Sequence, residues 1–230
     1  MATMDLGQMR EELCLALRNA DLFGSTATSR TIRGVTAGTY SGTATASQTV
    51  ITLGQTAVKN IRTFTVNSVA QVFITDYTVN WNTGVITMVT GMTVGHAISV
   101  SFDYGSSDKI YPDMPRDDIT LTSFPRVGIE TTSISTQPFG LGGMTHISDV
   151  MFTVIAWVSA NKDSAIASSY GGITDLATLM KNIRDAIRTN AKSFASFQYI
   201  TPQGTGPVRK GKNDKGLQQT ADYNVKFKIE

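Results

Sequence analysis

Cysteine is nearly absent. Cys14 is the only one in 230 residues, which excludes an internal disulfide framework and any CxxC metal site. Histidine is almost as scarce: His96 and His146 are the only two, too few for a multi-histidine metal centre. Charge is thin as well. Asp, Glu, Lys and Arg make up 17% of the chain, against about 25% in soluble domains generally. Twenty basic side chains against 18 acidic ones leave a net charge of +2, which argues against a chain devoted to coating nucleic acid, since that needs a dense basic surface. Long apolar runs are missing too. Val150 to Ala160 is the longest of note, far short of the ~20 residues that span a bilayer. The opening MATMDLGQMREELCLAL carries acids where a signal peptide needs a basic and then an apolar region. The expectation is a soluble chain made in a reducing compartment, with no membrane partner.

What is present is core material and neutral polar cover. At 41% hydrophobic residues the chain escapes charge-driven disorder and has enough length for one large domain or two small ones. Its surface must be neutral-polar, or hidden by partners.

The pattern changes along the chain. Leu6, Met9, Leu13 and Leu17 recur at three- and four-residue spacing, with Asp5 before them as a cap and Arg18 late, predicting an amphipathic helix over Asp5–Ala20. Asp21 to Thr28 breaks that pattern. From Thr36 to Tyr104 only four charges remain (Lys59, Arg62, Asp76 and Asp103) among fifteen threonines. Branched β-carbons favour strands, and β-type runs fall at Gln48–Leu53, Asn60–Val66, Gln71–Val79, Val85–Thr90 and His96–Tyr104. Asn82-Thr83-Gly84 supplies a turn for a hairpin over Tyr77–Thr90. Two prolines in Ile110–Pro115 punctuate the chain. A strand at Phe124–Ser135, a Gly-rich loop at Gln137–Thr145 and a long strand at His146–Ala160 follow. Both faces of that long strand are apolar, so it needs cover on both sides. A helix over Thr174–Lys192 buries Leu176, Met180, Ile183 and Ile187, and strands at Phe197–Thr201 and Thr220–Glu230 close the chain. This order predicts an α+β fold, a small mixed or antiparallel sheet with two helices, built from residues 1–30 and 113–230 and interrupted by an all-β insertion domain over 31–112.

Catalytic templates lack parts. Cys14 lies between two leucines on a helix, where an inert buried thiol is expected. His96 adjoins a turn, and His146 has no placed Ser, Cys or carboxylate partner. Asp113, Asp117 and Asp118 offer oxygen ligands for a divalent cation, but no second ligand cluster joins them, and acids beside a proline-rich linker solvate it. Gly140-Leu141-Gly142-Gly143 leads into a strand, not into the helix a phosphate loop requires, and Gly171-Gly172 lacks the lysine. No enzyme, metal or cofactor is implied. The basic cluster Arg209, Lys210, Lys212 and Lys215 reads as an extended arm or loop that is solvated, contacts an acidic partner surface, or touches nucleic-acid phosphates without aromatic residues for stacking.

Helix Asp5–Ala20, the strand opening Phe124-Pro125-Arg126-Val127, the apolar strand Val150–Val158, helix Thr174–Lys192 and the alternating strand Tyr223–Ile229 occur in an order that resembles the tail terminator proteins of long-tailed bacteriophages and related archaeal viruses, also called tail completion or head–tail joining proteins. The likeness spans roughly 140 residues and rests on order, with no signature motif. Family members are usually shorter, and the inserted module departs from them. It looks like the Thr- and Gly-rich β decorations of virion proteins, most recognisably in Tyr77-Thr78-Val79-Asn80-Trp81-Asn82-Thr83-Gly84-Val85-Ile86-Thr87. The resemblance implies a homohexameric ring in the virion tail or neck, assembled in the host cytoplasm. Such a ring would cap the tail tube, end its polymerisation, and meet the tail tube protein and the neck or connector protein, with its channel close to DNA. No catalytic residue carries over. Interface candidates are Gly140, Gly142, Gly143, Trp157, Arg209, Lys210 and Lys212. The alternatives are another virion neck, sheath-adaptor or baseplate protein, or a carbohydrate-binding β module presenting Tyr77 and Trp81 to a glycan.

Overall fold

A computed structural model describes residues 5–112, 124–139, 145–160, 172–196, 199–210 and 216–229. The chain divides into two compact units, one of Met1–Gly24 with Lys109–Glu230 and one of Ser25–Asp108.

The second unit is a two-sheet β module preceded by a short helix. Its strands are β1 (Thr36–Thr43), β2 (Gln48–Thr52), β3 (Val58–Val66), β4 (Val69–Ala70), β5 (Tyr77–Asn80), β6 (Val85–Met92) and β7 (Ala97–Tyr104). One sheet runs β1-β7-β3-β4 and the other β2-β6-β5, with every pair antiparallel. Alternation places Ile98, Val100 and Phe102 of β7 in one core with Phe64, Ile51, Ile86 and Tyr77. Burying each such side chain contributes about 1.5–3 kcal/mol. The expected hairpin is formed by β5 and β6. Gly84 turns it at φ 68, where a β-carbon would collide with the Gln55 carbonyl.

The first unit holds α1 (Leu6–Asn19), β8 (Ile110–Tyr111), β9 (Arg126–Phe139), β10 (Thr145–Ser159), α3 (Gly172–Asn190), β11 (Tyr199–Thr205), β12 (Arg209–Lys210) and β13 (Gly216–Ile229). Among the described residues its six strands run β11-β13-β10-β9-β8, with β12 also pairing β13. On one face Val150, Phe152, Val154 and Ala156 of β10 lie beside Val225, Tyr223 and Ala221 of β13 and Ile129 and Val127 of β9. All four of those β10 side chains are fully buried. Helix α3 packs on β10 and β13 through its stripe Leu176, Met180, Ile183 and Ile187, and α1 packs on α3 and β8. Asp5 caps α1 by accepting from the Gln8 N–H at 3.1 Å. The buried Glu12 carboxylate accepts the backbone N–H groups of Ala195 and Ser196 at 2.7 and 2.9 Å, tying α1 to the segment after α3. Arg18 donates to the Ile110 carbonyl at 2.9 Å.

The expected α+β fold with a small sheet and two helices is overturned. The described residues form a β-rich protein with three sheets and three helices. The difference has a physical source. Segments poor in apolar alternation join the sheets through backbone pairing, which is indifferent to side-chain type. Strands β9 and β10 run into the expected loop Gln137–Thr145 from both ends, β11 continues through Pro202 to Thr205, and β13 starts at Gly216. In the second unit β1 forms where no strand is expected, whereas in Gln71–Val79 only Tyr77–Val79 joins a strand and Ile74–Asp76 is a turn. Helix α2 (Thr26–Arg33) occupies part of the expected break.

Candidate functional site

Register assembles a row that no stretch of sequence displays. Trp157 on β10 lies opposite Arg126 on β9 and Gln218 on β13, and Gln218 lies opposite Arg209 on β12. Directly opposed residues share a face, so Arg126, Trp157, Gln218 and Arg209 cross the sheet side by side, on the face opposite Val154 and Ala156. Trp157 is buried, and its Nε1–H donates to Gln218 Oε1 at 2.8 Å. The Arg126 guanidinium carbon stands 5.0 Å from the centroid of the Trp157 ring and 5.2 Å from that of Phe124, a cation–π arrangement on two rings. Phe124, Ile155 and Trp157 form a small core of their own. The second apolar face of β10, expected to need cover, thus obtains it at this end from its own chain.

Further along the same face the chemistry changes sign. Thr153 lies between Glu130 and Asp222, and its hydroxyl donates to Asp222 Oδ1 at 2.6 Å. The surface therefore carries an exposed basic group, Arg209, at one end and carboxylates in its middle, while Lys210, paired opposite Leu217, belongs to the other face. Under α3, burial pushes the Tyr223 phenol up to about 12 against the opposing charge of Arg184, so it stays neutral.

Among the expected interface residues, Trp157 is interior, whereas Arg209 and Lys210 are exposed on β12. Gly140, Gly142, Gly143 and Lys212 lie outside the described residues, as do Asp113, Asp117 and Asp118. The glycan platform of Tyr77 and Trp81 does not form. Tyr77 is 4% exposed, with its ring edge-on to Phe64 at 4.8 Å and near Phe73 at 5.7 Å. Trp81 is half-buried against Phe73 at 5.7 Å. Burial also pushes the Tyr77 phenol up, with Asp76 adding to the shift.

Cys14 is buried with its Sγ 3.8 Å from the Ile110 carbonyl. His96 lines a cleft of about 310 Å³ with Asp76, Met88 and Met92 at one end of the β module. Among the described residues no group of three or more His, Cys, Asp and Glu side chains could hold a metal ion, and no helix is long and apolar enough to cross a membrane.

Sequence reasoning missed a buried ion network. Asp103, fully buried, receives Arg30 Nε at 2.6 Å, Arg62 Nε at 2.9 Å and Arg33 Nη1 at 3.1 Å. Arg33, also fully buried, grips Asp108 through two bonds of 3.0 Å. Burial alone would raise the Asp103 carboxyl; the bonds from Arg62 and Arg30 and the charges of Arg62 and Arg33 outweigh it and hold the carboxyl below the usual range. The available signal was Ser25 as a cap, Gly34 as a stop, and arginines three apart between them.

No family model matches the chain, and no curated protein matches it.

Proposed function

We propose that the protein is a virion structural component that forms a ring at the head–tail junction, caps the tail tube and joins it to the neck. The observation carrying this reading is the order of elements in the first unit: a capped helix, a strand opening at Arg126, a long apolar strand, a helix on that strand, and an alternating strand paired along its length. The charge arrangement supports it. A sheet face that is basic at Arg209 and acidic at Glu130 and Asp222 suits a head-to-tail contact between identical subunits, in which one end of the patch meets the middle of the next. Trp157 serves that surface by holding Arg126 and Gln218 in place rather than by contact of its own.

Electron microscopy of the purified full chain tests the proposal. A six-fold ring is the expected image, and Arg209→Glu is expected to weaken it. A chain that stays monomeric at high concentration and binds neither tail tube nor connector protein overturns it. A ring located elsewhere in an intact particle would assign it to the neck, sheath adaptor or baseplate instead.

A further inference from the structure

A sheet edge exposes unpaired N–H and C=O groups, and proteins blunt it with short strands, charges, prolines or bulges. The two sheets of the β module have four edges: β1, β4, β2 and β5. Three are guarded. Strand β4 has two residues and β5 four, and β2 breaks register between Gln48 and Val50. There the Gln48 side chain accepts from Thr45 N–H at 2.9 Å and donates to the Val50 carbonyl at 2.8 Å.

Strand β1 has no such guard. Its eight residues, Thr-Ala-Gly-Thr-Tyr-Ser-Gly-Thr, hold unbroken register with β7 from Thr36 opposite Tyr104 to Thr43 opposite Ala97. They include no charge and no proline, and among the described residues they pair with a strand on one side only. Thr39, Ser41 and Thr43 are exposed, whereas Gly38, Tyr40 and Gly42 are half-buried. A β-carbon at Gly38 would stand 2.5 Å from the Phe102 ring, so glycine lets the strand lie close on the core.

We infer that β1 is a docking edge for β1 of a second copy of this chain, paired antiparallel about a two-fold axis. An edge of this kind is satisfied by extended backbone alone, and β1 complements itself. Any antiparallel register opposes only Thr, Ser, Ala, Gly and Tyr, with no like charges and with Thr–Thr, Thr–Ser or Tyr–Tyr pairs available according to register. Self-pairing also removes the unguarded edge from both partners. The joined sheet runs β4-β3-β7-β1 from each copy and ends at both sides on the two-residue β4 and on β3, which carries Lys59 and Arg62 and breaks register twice, whereas a foreign strand would leave a new edge open. The contact is isologous and stops at two copies, so it is separate from the head-to-tail contact of a ring.

Backbone hydrogen exchange of the full chain at low and high concentration, alone and as Thr39→Lys with Ser41→Lys, tests this. Both replaced side chains are exposed, and Trp81 fluorescence reports whether the module remains folded. The expected result is protection of the β1 amides that rises on the order of tenfold with concentration and is lost in the double variant. Unchanged exchange of β1 at every concentration overturns the inference, as does concentration-dependent protection confined to 126–139. A ring seen with β1 unprotected removes this inference alone, whereas protected β1 without a ring removes the ring.

Discussion

Asp103 in the β module and Asp185 on α3 are both flanked by basic side chains, yet they are placed in opposite ways. Asp103 and Arg33 are fully buried, and three guanidiniums converge on that carboxylate. Asp185 bonds Lys181 at 2.8 Å and Arg188 at 3.2 Å in the open, where its own side chain is 42% exposed and theirs 68% and 82%. The unit that is poor in charge spends it inside, fastening α2 to β7. The unit with ordinary charge leaves Asp185 and its partners in water, and it binds its buried Glu12 and Arg18 to backbone groups. Charge density therefore misleads as a guide to electrostatic importance: the sparse groups are the ones whose loss is felt, because a buried ion cannot turn to solvent when its partner goes.

Each unit holds one of the two tryptophans, Trp81 and Trp157, so Trp157→Phe and Trp81→Phe backgrounds let each be followed separately. The largest effect is expected from Asp103→Ala, which removes the shared buried acceptor of Arg30, Arg62 and Arg33, leaves Arg33 with Asp108 alone, and should cost about 3–5 kcal/mol in a denaturant titration read through Trp81. A loss too small to resolve would break the comparison. Next, Glu12→Ala leaves the Ala195 and Ser196 amides without their acceptor, and about 1–3 kcal/mol should be lost through Trp157. Acid should then separate the units. The stabilisation from Asp103 is present above its usual pKa of 3.8 and is lost as pH falls beneath it through the lower folded value. Glu11 runs the other way. Burial lifts it from 4.5 to about 7, against Arg18 and with help from Asp5 and Glu12. Its contribution is therefore present below 4.5 and lost as pH rises through 7. Melts should show the Trp157 transition strengthening from neutral toward mildly acid pH, a trend that Glu11→Gln abolishes, while the Trp81 transition weakens only in stronger acid. The smallest effect belongs to Asp185→Ala, whose unfolding midpoint should match the parent within error.

How legible these units are in the sequence depends on what holds each element. Helices α1 and α3 are visible because local apolar spacing faces them to a core, and β10 because both its faces are apolar. Helix α2 is not. Its eight residues include three threonines and one large apolar side chain, and its anchorage is Asp103 and Asp108, some seventy residues on. Strand β1 carries two glycines and pairs through backbone, so neither propensity nor alternation announces it. The row Arg126–Trp157–Gln218–Arg209 draws on four strands and exists only once their register is set. Tyr77 illustrates the converse error, since an aromatic in a turn-rich stretch reads as a display residue until its packing against Phe64 is known.

The Arg33 grip on Asp108 also bears on the order in which the chain folds. Arg18 and the Ile110 carbonyl, bonded in the first unit, are 92 residues apart along the chain. Once β1 and β7 have paired, with Arg33 holding Asp108 beside them, the unstructured path between those two groups shrinks to about 17 residues. By loop-closure entropy that shortening is worth roughly 1 kcal/mol. The module thus acts on its host as a short tether, and the favoured sequence of events is β module first, with α1 meeting β8 only after the tether is drawn in.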